Sequence, residues 1–146
     1  MAFLCLGACD MGPWEPNVGE PQQAFCVDED SDDSVDVSYS VDIVGTIFDV
    51  ERGIGCNDCH TPGGETPIGF EVGGLDMSNN TTLRAGGVVS GSRLIVPGSP
   101  CDSILFQKVS AGAPFGARMP LDGPPYLEDA KIELLHDWIA EGARDN

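Results

Sequence analysis

Three stretches of the chain place apolar residues at helical spacing. Val41, Val44, Ile47 and Phe48 fall on one side of a helix of roughly three turns. Ser40 is the expected cap, and Asp42 sits in the first turn, where a carboxylate suits the helix dipole. Ser99-Pro100-Cys101-Asp102 reads as a second start, with Ser at the N-cap, Pro at the first helical position and an acid after it. That helix is expected to reach Val109. The third spans Glu128 to Glu141, with Ile132, Leu135, Trp138 and Ile139 on its apolar face and Gly142 to end it. Gly45 has no side chain, so Trp138 is expected to pack over the first helix there. Residues 61–98 and 110–126 lack periodicity and are expected to be loops, with short extended pieces at Gly74–Met77 and Leu94–Val96. The pattern predicts a mainly α domain of about three helices joined by long loops.

Composition sharpens this picture. The 146 residues include 19 Gly and 11 Pro, enough chain for one domain but not two. A polypeptide so rich in loops needs a further element to pack around. The formal charge is −17, and six acids fall between Asp28 and Asp36. Phosphate contacts require a basic face, so a nucleic-acid partner is excluded. The acidic balance favours solubility and attraction to a basic partner. Residues 10–37 carry Pro13, Pro16, Pro21 and the acidic run, and read as an extended flexible tether. The domain proper is expected over 38–146. No apolar run is long enough to span a membrane. Residues 1–9 read as the tail of an export signal, in which Leu6-Gly7-Ala8-Cys9 resembles a lipobox. Cys9 is then the expected lipidation site, with an ordinary export signal as the alternative.

The chemistry concentrates in Cys56-Asn57-Asp58-Cys59-His60. This fits C-x-x-C-H, the attachment signature for a c-type haem. Two thiols add to the haem vinyl groups, and the adjacent His ligates the iron. A thioredoxin-like pair needs a βαβ setting that is not visible here. A zinc site needs four ligands, and only Cys26, Cys101 and His136 remain, widely scattered. His60 is expected to donate its second ring N–H to a carbonyl of the Pro62–Gly69 loop. The sixth iron ligand must come from Met11, Met77, Met119 or His136. Met119, beside Pro120 in the loop before the last helix, is the favoured choice, and Met77, His136 and an open site remain as alternatives. Ile68, Phe70, Ile95 and Phe106 are candidates to wall the haem, with ordinary core as the other reading of each.

Taken together, these residues resemble class I, mitochondrial-type cytochromes c over about residues 41–142. The chain is more closely similar to the bacterial domains called planctomycete-type. The resemblance rests on Leu75-Asp76-Met77-Ser78, on Val96-Pro97-Gly98-Ser99-Pro100 with Ser103-Ile104-Leu105, and on Met119-Pro120 with Trp138-Ile139 through Gly142-Ala143. It implies a small cytochrome c-like domain wrapped around one covalent haem, axial ligands His60 and Met119, and terminal helices that cross beside the haem edge. Glu128 departs from the family, where a better capping residue is usual. The implied role is an electron carrier between redox proteins outside the bacterial cytoplasm, in the periplasm or at the cell surface, and not an enzyme. The rivals are a peroxidase-type haem enzyme and a gas or redox sensor, both of which need an open sixth position.

Cysteine arithmetic adds one bond. Cys5 and Cys9 fall in the signal segment, and Cys56 and Cys59 are assigned to haem. Cys26 and Cys101 are left in an oxidising compartment, where a disulfide between them is expected.

Overall fold

In the computed structural model, which describes residues 26–49 and 55–146, the first helix runs Tyr39–Phe48. Ser38, not Ser40, caps it. The Ser38 hydroxyl accepts the Val41 N–H (3.3 Å), and the Asp42 carboxylate accepts the Ser38 N–H in return (2.9 Å). Ser40 is occupied elsewhere, donating its N–H to the Asn146 carbonyl (3.0 Å). The helix is wound wide, with five-residue hydrogen bonds from Ile43 N–H to the Ser38 carbonyl (3.2 Å) and from Asp49 N–H to the Val44 carbonyl (2.8 Å). The extra residue per bond rotates the buried face to Tyr39, Ile43, Ile47 and Phe48 and turns Val41 out to 67% exposure.

That rotation overturns the expected contact between Gly45 and Trp138. Gly45 is exposed. A Cβ built on it would meet only the Ser40 carbonyl, at 3.8 Å. Trp138, fully buried, stacks instead on Tyr39 with ring centroids 5.4 Å apart and planes inclined by 25°. The last helix, Asp129–Ala140, buries Leu135, Trp138 and Ile139 against the first, as its periodicity predicts. Full burial of side chains of this size stabilises by about 1.5–3 kcal/mol each. Gly142, at φ 100°, closes the helix, and the Ala143 N–H returns to the Trp138 carbonyl (2.8 Å).

The middle of the chain is more helical than its sequence pattern implies. Cys56–His60 forms one helical turn, and Ile68–Gly73 and Asn80–Ala85 are short helices where loops were expected. Their signals are caps and not periodicity. Asn79 accepts the Thr82 N–H (3.0 Å), and Gly74 at φ 61° returns its N–H to the Phe70 carbonyl (2.8 Å). Neither Gly74–Met77 nor Leu94–Val96 is extended in a sheet, and no strand occurs among the described residues. Pro100–Asp102 makes only a 3₁₀ turn, and the helix proper is Ile104–Val109. The break falls at Ser103, whose buried hydroxyl binds the Val96 N–H (2.8 Å) and the Ser99 carbonyl (2.9 Å) in competition with the helix ladder.

Residues 26–37, ahead of the expected boundary at residue 38, lie against the last helix. A disulfide joins Cys26 to Cys101, with Cα atoms 5.8 Å apart. From there the chain is strapped along the last helix. His136 donates from Nε2 to the Val27 carbonyl (2.7 Å), and Ser31 gives its N–H and hydroxyl to Asp137 (3.1 and 2.5 Å). The Val37 N–H binds the Glu141 carboxylate (2.9 Å), and Arg144 pairs with Asp36 (3.1 Å). These bonds and the disulfide hold residues 26–37 against the last helix, where mutual repulsion alone would have extended the run. The calls on residues 1–9, on the tether over 10–25 and on Cys9 and Met11 lie outside the described residues. Among the described residues, no helix is long and apolar enough to cross a membrane.

Candidate functional site

The Cys56–His60 turn follows Gly55, whose extended backbone (φ −67°, ψ 155°) brings the chain in. Asp58 N–H bonds back to the Gly55 carbonyl (3.2 Å), and Thr61 closes the turn by donating its hydroxyl to the Asn57 carbonyl (2.7 Å). The two cysteines are free, and their sulfurs address different elements. Cys56 Sγ points to the Ile47 carbonyl of the first helix (3.7 Å), and Cys59 Sγ lies 3.6 Å from Thr66 Oγ1 on the following loop. A pair turned apart in this way is suited to two separate attachments and not to a disulfide with itself. Burial pushes the Cys56 thiol up to about 11, so it stays protonated until it reacts.

His60 ends the turn. Burial first, and then the positive charge of Lys108, hold its imidazole below the ordinary pKa. The ring is therefore neutral at neutral pH, the state that metal ligation needs. Nδ1 is enclosed without a hydrogen-bond partner. The expected bond from Nδ1 to the Pro62–Gly69 loop is absent, because the ring packs on the Gly69 backbone. A Cβ at Gly69 would stand 2.5 Å from His60 Cε1 and 2.6 Å from Nδ1. Glycine thus makes the cradle that the imidazole occupies. The His60 carbonyl accepts the Met77 N–H (2.7 Å), which ties the motif to the next part of the core.

Of the four candidates for a sixth ligand, Met11 lies outside the described residues and the other three separate. Met119 is half-buried and packs against the core, and its N–H binds the Lys108 carbonyl (2.7 Å). Lys108 is also the residue whose charge reaches His60, so the Met119 loop and His60 share a neighbour. Met77 is 2% exposed and sits in the hydrophobic core. His136 uses both ring nitrogens, Nε2 on Val27 and Nδ1 against Asp137 Oδ1 (3.0 Å). Among the described residues no three His, Cys, Asp or Glu side chains gather as a metal cage, so no zinc set forms around the motif.

The four expected wall residues lie in different places. Ile95 is buried in the core, Phe70 is half-buried on the Ile68–Gly73 helix, and Ile68 on the same helix is 55% exposed. Phe106 packs its ring against His136, with centroids 5.4 Å apart. It lines a cleft of about 380 Å³ with Ser110, Glu133 and the 26–31 strap, and that cleft shares no residue with the motif. Two residues at the site were not singled out from the sequence. Gly69 could have been suspected only with the fold in hand. Lys108 left a fainter signal, as a lysine inside the apolar run ILFQKV of a chain with seven bases.

Two free thiols on different sides of one helical turn and an imidazole whose pKa is held low are the donor set that a covalent c-type haem requires, so the residues present fit the group. A family model described as planctomycete cytochrome C matches residues 56–122, from the first motif cysteine to just past Met119. The match supports a cytochrome c-like domain over that stretch. No curated protein and no solved structure matches the chain.

Proposed function

We propose that this chain is a single-haem c-type cytochrome that carries electrons between redox proteins outside the cytoplasm. The observation that carries the reading is the pair of free sulfurs turned to different elements on the helical turn that His60 ends. When bound, the haem supplies an iron that exchanges one electron between its ferric and ferrous states. The chain does the rest. Cys56 and Cys59 hold the group by two bonds, and His60 provides the fifth iron ligand. Gly69 leaves room for the ring in one orientation. Met119 would supply the second ligand from the protein, and would thereby keep substrates from the metal, as a carrier needs and a peroxidase or a gas sensor does not. The charge of −17 favours partners with a basic docking face. Within this reading residues 1–9 are the tail of an export signal, Cys9 carries a lipid, and the part of the 10–37 tether that precedes Cys26 links it to the domain.

Haem staining after denaturing electrophoresis tests the covalent bond. Retention of the stain is expected, and haem lost to acid–acetone overturns the reading. The ferric spectrum then tests the role. A Met–iron charge-transfer band is the expected result, and a high-spin spectrum favours an enzyme or a sensor instead.

A further inference from the structure

The loop that presents Met119 has almost no anchors of its own. From residue 111 to residue 118 no side chain is buried, and Phe115 remains 39% exposed. Yet the loop is gripped at several points by one residue of the Ile104–Val109 helix. Lys108 Nζ donates to the Phe115 carbonyl (2.8 Å) and to the Ala117 carbonyl (2.5 Å). The same ammonium lies 4.9 Å from the centroid of the Phe115 ring. The Lys108 carbonyl accepts the Met119 N–H (2.7 Å), and next to it the Val109 carbonyl accepts Arg118 Nε (2.8 Å).

We infer that Lys108 is the positioning residue for the sixth iron ligand, clamping residues 115–119 so that the Met119 thioether is presented in one place. The inference rests on the reading of Met119 as that ligand. An ammonium can reach two carbonyls at once because it carries three donors, and hydrogen bonds from a charged donor are the stronger kind. A loop without buried side chains would otherwise sample many conformations, and a ligand that must first be ordered binds less well. Lysine is suited to the site because its flexible stem carries three rotatable donors to the Phe115 and Ala117 carbonyls.

The test compares wild-type, Lys108→Met and Lys108→Arg holoproteins, each checked for covalent haem. Lys108→Met keeps the apolar stem and removes the donors. It should weaken the Met–iron charge-transfer band and bind imidazole at the iron at least tenfold more tightly than wild type. Lys108→Arg keeps a charged donor and should restore both properties towards wild type. Hydrogen exchange of the wild type offers a second reading that needs no variant to fold: the Met119 amide should be protected, while the amides of 111–113 exchange freely. A wild-type protein without the charge-transfer band overturns Met119 as ligand and the clamp with it. A wild-type band that persists in Lys108→Met with unchanged imidazole affinity, or an unprotected Met119 amide, overturns the clamp alone.

Discussion

Removal of the Cys26–Cys101 disulfide tests the joint that ties the acidic segment to the rest of the fold. The bond closes a loop with a sequence separation of 75 residues. In the chain-entropy treatment a loop of that length restricts the unfolded chain by about 4.5 kcal/mol at 25 °C. The double variant Cys26→Ala/Cys101→Ala removes the cross-link without leaving an unpaired thiol. Its folded state keeps the other strap bonds, from Val27 to His136, Ser31 to Asp137 and Val37 to Glu141. The loss should therefore appear mainly through the unfolded state, as a lower midpoint with little change in fold. With a urea m-value of about 1.5–2 kcal/mol/M, the midpoint should fall by about 2–3 M. The assay is urea unfolding of the holoprotein, followed by far-ultraviolet circular dichroism and by haem absorbance. Reduction of the wild type should reproduce the variant. A midpoint shift below about 0.5 M would refute the reasoning, since the strap would then be held by its hydrogen bonds alone.

Met119→Ala should keep covalent haem, lose the Met–iron charge-transfer band and open the iron to exogenous imidazole; survival of the band would identify Met77 or another group as the ligand. Gly69→Ala places a methyl 2.5 Å from His60 Cε1, and should destabilise the holoprotein by about 1–3 kcal/mol in denaturant titration; an unperturbed variant would show that the ring does not sit in this cradle. Burial raises the Asp137 pKa, but hydrogen bonds from Ser31 and His136 outweigh it and hold the carboxyl below its ordinary value. A depressed folded pKa gives stability that is present above the unfolded carboxylate range and lost as pH falls through the folded value. Stability should therefore fall below about pH 4, and Ser31→Ala should flatten that loss relative to wild type in pH-dependent urea midpoints; parallel curves would count against the Ser31–Asp137 bond.

The parts legible in the sequence are those written in local code. C-x-x-C-H needs only residue identity and spacing, because the chemistry of two thiols and one imidazole lies within a single helical turn. The final helix is long enough for its 3.6-residue period to show, and Leu135, Trp138 and Ile139 are buried as that period requires. Elimination among the cysteines left Cys26 and Cys101 to pair, and the structure pairs them. Tertiary structure decided what local code leaves open. The wide winding of the first helix, which local periodicity does not encode, moved its buried face and exchanged Gly45 for Tyr39 as the neighbour of Trp138. The six-residue helices at Ile68–Gly73 and Asn80–Ala85 are too short to display a period and depend on their caps. The acidic run reads alone as a repelling tether, and only contact with Asp137, Glu141 and Arg144 makes it a strap. The packing of Gly69 on His60 and the grip of Lys108 on the Met119 loop join residues about ten apart across turns whose geometry sequence spacing does not fix.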